Sequence, residues 1–312
     1  MSSVVPRGDV AASGLFDRLG VFARDIKVSH SVFALPFGVL ATFLAAAFDR
    51  RTPDPGTLVL IVLCMFLART VAMAANRWMD GRLDAINPRT TGRAIPSGRL
   101  TGRFVLGVAC VCSALFVAAT GGFWALDANI YPLILSPLVL AWLVAYSFTK
   151  RVTWFCHVFL GGALALSPLA AAVAVEPAYL AKWEPYLLAV MVTCWVAGFD
   201  IIYALQDVAS DRKTGVFSMP ARLGAAPALW ISRGLHVLAV VALVAVWQAS
   251  PALEGAFALG IVIVSGLLLV EHALVWGSKT HQIHLAFLTV NGVISLVLGV
   301  LGVVDAVASV AG

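Results

Sequence analysis

Residues 76–103 read NRWMDGRLDAINPRTTGRAIPSGRLTGR, and they follow directly on an apolar run that begins near residue 57. Asn76, Asp80 and Asp84 recur every four residues, a spacing that places all three on one face of a helix. Two carboxylates and an amide on one face make a row of hard oxygen ligands. Such a row suits Mg²⁺ that is also held by substrate phosphates. The sequence therefore predicts a metal site at the end of an apolar helix.

A second row of aspartates appears in residues 206–213, QDVASDRK. Asp80 and Asp207 are 127 residues apart, and so are Asp84 and Asp211. Solvated side chains at a helix end are the alternative explanation for one row, but they leave the matching second row unexplained. We therefore predict that the two rows face each other across one diphosphate site.

Other polar side chains fall near these rows. Arg69 lies inside the apolar run on nearly the same face as Asn76, where a charge is costly unless it has a function or a structural ion pair. Asp200 lies one to two turns before the second row. It is predicted to orient or deprotonate a substrate hydroxyl, and a structural hydrogen bond is the alternative. Tyr146 and Lys150 share a face and can reach a diphosphate oxygen, although both residue types are also ordinary interface anchors. Further predicted substrate-binding residues are the basic side chains Arg77, Arg89, Arg93, Arg212 and Lys213.

The composition indicates a polytopic membrane protein. Of the 312 residues, 61% are hydrophobic and only 12% are charged, whereas soluble domains carry roughly 25% charge. The net charge of +5 is mild and does not indicate a nucleic-acid partner. We predict an all-α protein whose main partner is the lipid bilayer.

The chain divides into a short N-terminal part and a long membrane part. Residues 1–28 are predicted to be a tail with an amphipathic helix on the membrane surface, since 14–27 alternate apolar and charged side chains at helical spacing. Residues 29–312 are predicted to form the transmembrane domain, with repeated halves at about 29–150 and 151–276. Nine apolar spans are predicted near residues 30–48, 57–79, 104–121, 131–148, 153–175, 185–205, 226–249, 252–276 and 284–308.

The distribution of Lys and Arg predicts the orientation in the membrane. With nine spans, sixteen of these residues fall on the side of the N-terminus and three fall on the other side. Because short cytoplasmic loops carry the excess of positive charge, the N-terminus and both aspartate rows are predicted to be cytoplasmic in the inner (cell) membrane.

Three other classes of protein fit the sequence less well. A transporter would carry its charges near the bilayer midplane, whereas these rows sit at one surface. A CDP-alcohol phosphotransferase would need a DGxxAR pattern, which DGRLDAINPR lacks. A purely structural or assembly protein would leave both rows unexplained.

Three motifs together resemble one family. Residues 76–98 look like the NxxxDxxxD motif and following loop of the UbiA prenyltransferase superfamily, and YSFTK at 146–150 resembles its YxxxK motif. Residues 199–224, FDIIYALQDVASDRKTGVFSMPARLG, resemble its second aspartate-rich block. Within the family, these residues and KVSHSVFALPFG at 27–38 look closest to the 4-hydroxybenzoate-type enzymes. The branch that serves menaquinone made by the futalosine route looks especially close.

The resemblance implies a fold and a reaction. The fold would be a bundle of nine transmembrane helices with a central cavity that opens to the cytoplasmic side. The reaction would be Mg²⁺-dependent transfer of a polyprenyl group from polyprenyl diphosphate to an aromatic acid, either 4-hydroxybenzoate or a dihydroxynaphthoate, with a haem-like ring as another acceptor. Tyr146 and Lys150 would contact the diphosphate, and Arg69 would lie beside the acceptor carboxylate. The implied Mg²⁺–diphosphate ligands are Asn76, Asp80, Asp84, Asp207 and Asp211.

Overall fold

A computed structural model of the chain describes residues 14–27, 33–276, 283 and 286–312. Within these residues all regular structure is helical, which confirms the predicted all-α class. The α-helices are α1 (Leu15–Asp25), α2 (Leu35–Phe48), α3 (Pro55–Ile86), α4 (Gly102–Asp127), α5 (Tyr131–Thr149), α6 (Cys156–Val175), α7 (Glu184–Ala204), α8 (Val208–Thr214), α9 (Met219–Leu223), α10 (Ala225–Ala249), α11 (Gly255–Leu274) and α12 (Asn291–Ala311). Short 3₁₀ turns span Pro177–Ala181 and Leu205–Asp207, and a π-helical turn spans Ala286–Val290.

In the described part of the chain, eight helical segments are long and apolar enough to cross a membrane. They match eight of the predicted spans to within a few residues, except where an end is noted below. The remaining predicted span, 30–48, corresponds to the shorter apolar helix α2, and its residues 30–32 lie outside the described part of the chain. The start of the last predicted span, at 284–285, lies outside it too, as do residues 1–13 of the predicted tail. The division into two halves stays a prediction.

Helix α3 extends beyond the predicted end at residue 79 and carries the whole first aspartate row. It begins at an N-cap, where the Asp54 carboxylate accepts hydrogen bonds from the backbone N–H groups of Gly56 and Thr57 at 2.7 and 3.2 Å. It ends at Ile86 because Asn87 precedes a proline and has an extended backbone. After residue 79 the helix continues with its acidic side chains on the interior face, where Asp80 and Asp84 are buried, and with Arg82 exposed on the other face.

The second row departs from the prediction. The spacing of Asp200, Asp207 and Asp211 predicts that all three share one face of a helix. Instead α7 ends at Ala204, a 3₁₀ turn follows, and α8 begins at Val208. A 3₁₀ turn has about three residues per turn, so it rotates the following side chains relative to an α-helix. The two aspartates of the second row therefore have different surroundings, as described below.

The main hydrophobic core is formed by side chains from both ends of the chain, chiefly from α2, α6, α7, α10, α11 and α12. Trp195 of α7 is at its centre, with its ring centroid 5.4 Å from that of Phe37 on α2 and 5.1 Å from that of Phe199. Its indole N–H donates to the side-chain oxygen of Asn291 on α12 at 2.7 Å, so its polar atom is satisfied. Large apolar side chains on the outside of the bundle are exposed, as expected for a lipid-facing surface: Val111, Leu115, Val237, Val241, Val262 and Leu269.

Helices α6 and α7 approach closely at Gly161. A Cβ atom at Gly161 would lie 2.3 Å from the backbone oxygen of Thr193, whereas one at Gly162 would meet Trp142 at an ordinary 3.4 Å. Small residues allow such close helix contacts in membranes. The contact holds α6 against α7, and both helices contribute side chains to the cavity described next.

We predict that Gly161→Ala destabilises the protein by about 1–3 kcal/mol, because the backbone of α7 has to move away. The measurement is the thermal unfolding midpoint in detergent. Gly162→Ala is the matched control and should leave the midpoint nearly unchanged. Equal midpoints for the two variants would contradict the close α6–α7 packing.

Candidate active site

One cavity of about 1330 Å³ runs between the helices. Its polar lining comes from the C-terminal ends of α3, α5 and α7 and from the segment between α3 and α4. Its apolar lining comes chiefly from α4, α5 and α6 and includes Phe116, Phe123, Leu135, Leu138, Leu164 and Leu169. A site for a molecule with one highly charged end and one long hydrocarbon end requires this combination.

The first aspartate row lines the polar end, and its carboxylates are paired with cations. Asp80 forms an ion pair with Lys150 at the end of α5, and Arg151 Nη2 lies 3.0 Å from its other oxygen. Both oxygens of Asp84 accept from Arg93 Nη1, at 2.7 and 2.9 Å. Because Asp80 and Asp84 are 2% and 6% exposed, their charges would be costly without these partners.

Asp207 of the second row is bound by residues that follow the first row. Arg89 Nε and Nη2 lie 2.9 and 2.5 Å from the two oxygens of Asp207, which is a bidentate pair. Asn87 Nδ2 donates to the same carboxylate at 2.7 Å, and Arg89 Nη1 donates to the Tyr203 hydroxyl at 2.8 Å. The segment after the first row thus reaches across the cavity to the second row.

Asp211 has a neutral partner. Its carboxylate accepts a hydrogen bond from the Ser218 hydroxyl at 2.5 Å, and it also lines the cavity. Asn76, the remaining member of the first row, accepts from Arg77 Nη1 at 3.1 Å and donates to the Ser147 hydroxyl at 3.4 Å. All five predicted metal-binding side chains therefore line one cavity.

The donor set fits Mg²⁺ when substrate oxygens complete the coordination. Carboxylate and amide oxygens are the ligands that Mg²⁺ prefers, and it is usually bound through one or two carboxylates plus phosphates. Among the described residues, no group of three or more His, Cys, Asp or Glu side chains is close enough to hold a metal by itself. The residues therefore fit an ion that arrives with a diphosphate.

Asp200 lies in the cavity wall next to a histidine that the sequence did not single out. His157 Nδ1 is 2.6 Å from Asp200 Oδ2, and the backbone N–H of Met219 donates to His157 Nε2 at 3.2 Å. Since Nε2 accepts that hydrogen bond, the ring proton is on Nδ1 and is donated to Asp200. The pair orients the Asp200 carboxylate, and among the described residues no hydrogen bond engages its other oxygen.

Helix α1 closes part of the cavity. Asp25 Oδ2 pairs with Arg77 Nε at 3.0 Å, and Asp25 Oδ1 accepts from the backbone N–H of Ala94 at 2.8 Å. Arg69 Nη2 donates to the backbone oxygens of Ile26 and Lys27, at 3.1 and 2.8 Å. One predicted substrate-binding residue, Arg77, is thus tied to α1 by a buried ion pair, and Arg69 supports the end of α1.

The other predicted residues divide into two groups. Arg69, Arg77, Arg89, Arg93, Tyr146 and Lys150 all line the cavity. Arg212 and Lys213 do not, and Arg212 Nε donates to the backbone oxygen of Ala221 at 3.1 Å. Arg212 therefore contacts α9 and Lys213 is exposed, and neither residue lies in the cavity wall.

Four contributors were absent from the predicted site: Asp25, Asn87, Arg151 and His157. Asn87 and Arg151 each follow a predicted motif within a few residues, so extending the motifs by one turn would have included them. Asp25 and His157 act on partners 52 and 43 residues away. Periodicity within one helix gives no signal for such contacts.

Comparison with known proteins gives a consistent result. A family model described as the UbiA prenyltransferase family matches residues 34–303. The 4-hydroxybenzoate octaprenyltransferase of Aliivibrio fischeri (strain MJ11) is 31% identical over 265 residues, which is 82% of this chain and 85% of that protein. A solved UbiA homolog from Aeropyrum pernix K1 is 27% identical with a TM-score of 0.76, covering 90% of this chain and 98% of that chain. The fold is also shared with a UbiA homolog from Archaeoglobus fulgidus bound to GPP and Mg²⁺, at 18% identity and a TM-score of 0.67, over 94% and 100% of the two chains.

Proposed function

The chain belongs to the UbiA prenyltransferase family, and on that premise we propose that it transfers a polyprenyl group from polyprenyl diphosphate to a ring carbon of an aromatic acid. It is a membrane prenyltransferase. The observation that carries the proposal is the single cavity in which two aspartate rows with their cations adjoin an apolar channel. The relatives named 4-hydroxybenzoate octaprenyltransferase support an aromatic acid as acceptor.

We infer that Lys150, Arg89 and Arg93 bind the diphosphate. Each is paired with a carboxylate, and each lines the cavity, so a diphosphate offers these side chains a more highly charged partner within reach. Their positive charge then lies where negative charge develops on the leaving group. Tyr146, on the cavity face of α5 one turn before Lys150, is proposed to contribute its hydroxyl to the same diphosphate.

Asn76, Asp80, Asp84, Asp207 and Asp211 are proposed to hold Mg²⁺ together with the diphosphate. Bound Mg²⁺ would neutralise charge on the diphosphate and so assist cleavage of the C–O bond. Asp80, Asp84 and Asp207 become available as ligands when their cations turn to the diphosphate. The Archaeoglobus fulgidus homolog of the same fold was solved with GPP and Mg²⁺, which agrees with this choice of ion.

The apolar lining is proposed to hold the polyprenyl chain and to exclude water from the allylic cation that forms when the C–O bond breaks. Water would otherwise capture the cation before the acceptor ring attacks. Phe116, Phe123 and Leu164 line this part of the cavity.

The acceptor is proposed to lie between Arg69 and Asp200. In the described part of the chain, Arg69 Nε and Nη1 have no hydrogen-bond partner, so each can donate one hydrogen bond to an acceptor whose carboxylate is attracted by the guanidinium charge. Asp200, oriented by His157, accepts the proton of the ring hydroxyl and makes the ring more electron-rich. The ring carbon then forms the new C–C bond with the allylic carbon whose C–O bond has broken, its own proton passes to the released diphosphate, and Asp200 returns the hydroxyl proton to the product. Both 4-hydroxybenzoate and a dihydroxynaphthoate carry this pair of groups, whereas a haem-like ring has no phenolic hydroxyl for Asp200.

The function is tested by offering several aromatic acids and a polyprenyl diphosphate to isolated membranes with Mg²⁺ and identifying the product by mass spectrometry. We expect a prenylated hydroxy-arene acid and free diphosphate from the wild-type chain. Asp80→Asn and Asp207→Asn should each lower transfer at least about a hundredfold, because each removes a carboxylate from the diphosphate end of the cavity.

Asp49→Asn is the matched control. Asp49 is exposed at the opposite end of the bundle, where it pairs with Arg51 at 3.1 Å, so this variant should keep full activity. Full activity in Asp80→Asn or Asp207→Asn would contradict a shared site, and release of diphosphate without a prenylated product would contradict the aromatic acceptor.

We also propose the orientation and helix count of the bundle: nine membrane helices, including α2, in the inner membrane, with the N-terminus and the polar end of the cavity cytoplasmic. The distribution of Lys and Arg supports it. In a cysteine-free background, an impermeant thiol reagent should label Thr91→Cys from the cytoplasmic side and Ala178→Cys from the other side, since both positions are exposed. Labelling of both from one side would overturn the proposed topology.

A further inference from the structure

The C-terminal half of α1 is part of the cavity wall, although it lies outside the residues 34–303 that match the family model. Phe22 and Ile26 are buried against Ala74, Ala94 and Leu100. The ion pair of Asp25 with Arg77 and its hydrogen bond from Ala94 fix the helix end to α3 and to the following segment. Residues of α1 and its end that line the cavity are Val21, Arg24, Asp25, Ile26 and Lys27.

Lys27 has an unfavourable backbone conformation. It follows the C-cap residue Ile26 and has φ +48°, in the left-handed region. Glycine is the residue usually found at this position after a helix, because it has no Cβ to clash there. A lysine at this position indicates that its side chain has a use that offsets the cost of the conformation.

The Lys27 ammonium is close to several positive charges. In the part of the chain that the structure describes, no hydrogen bond or ion pair joins its Nζ to another residue. Burial, and then the charges of Arg77, Arg89 and Arg93, lower the pKa of Lys27, and only Asp25 raises it. These three arginines are paired with Asp25, Asp207 and Asp84 respectively. The cluster therefore has one positive charge more than its carboxylates balance, and an additional anion would restore the balance.

We propose that Lys27 binds a phosphate oxygen of the polyprenyl diphosphate, which makes α1 part of the donor site. This inference rests on the proposed function. The donor is favoured over the acceptor because the arginines that face Lys27 are those beside the two aspartate rows. Arg69, proposed to bind the acceptor, contacts only the backbone oxygen of Lys27.

Three substitutions separate the charge of Lys27 from its place in the helix end. Lys27→Gln removes the charge and keeps the backbone constraint, Lys27→Gly removes both, and Lys27→Arg keeps the charge. We expect the first two to weaken binding of inorganic diphosphate in the presence of Mg²⁺ about tenfold and to raise the KM for polyprenyl diphosphate about as much. The acceptor KM should not change, and Lys27→Arg should stay close to the wild type.

The glycine variant excludes a purely structural role. If Lys27 only ended α1, Lys27→Gly should bind diphosphate like the wild type with an equal or higher thermal midpoint. That result, or a change confined to the acceptor KM, would overturn the proposal. Arg18→Gln, on α1 but away from the cavity lining, is the control and should bind diphosphate normally. Calorimetric binding of inorganic diphosphate needs no turnover, so it tests Lys27 even if the proposed transfer reaction fails in the wild type.

Discussion

The structure depends on neutralising carboxylates at one end of an apolar bundle. A buried charge in a medium of low dielectric constant needs a partner, and the partners come from other elements. Asp80 on α3 is paired with Lys150 at the end of α5, and Asp207 after α7 is paired with Arg89 from the segment after α3. These two pairs bring together the ends of the three helices that carry the family motifs. The apolar helices set the length of the bundle, and the ion pairs set which ends meet.

Under the proposed function, the same pairs explain how one set of residues would bind both a metal and a diphosphate. Without ligand, Asp80, Asp84 and Asp207 are each paired with a cation, so none of these three carboxylates is left uncompensated. A diphosphate competes for the cations, and a divalent ion competes for the carboxylates. Diphosphate would free the carboxylates for the metal, and the metal would free the cations for diphosphate. The two ligands should therefore bind cooperatively. The absence of a group of three acidic or soft ligands among the described residues agrees with this dependence.

Most of the bundle could be predicted from hydropathy, because eight helical segments are long and apolar, and the two aspartate rows could be predicted from their spacing. Contacts between segments that are distant in the sequence could not be predicted from hydropathy or spacing. The Asp25–Arg77 pair and the Asp200–His157 pair join residues with no shared periodicity, and the first of them helps to hold α1 at the site. The spacing of the second row predicts one helical face, but it gives no signal for the 3₁₀ turn at Leu205–Asp207 that interrupts the helix. Arg212 and Lys213 follow the second row directly in sequence, but neither side chain lines the cavity.

The most direct test of this account is the affinity of the purified protein for Mg²⁺ with and without inorganic diphosphate, measured by calorimetry and corrected for binding of Mg²⁺ to diphosphate in solution. Because Lys150, Arg89 and Arg93 occupy the carboxylates in the absence of ligand, we predict that Mg²⁺ binds at least about tenfold more tightly when diphosphate is present. Mg²⁺ affinity that is the same in both conditions would contradict the exchange of partners on which the proposed site depends.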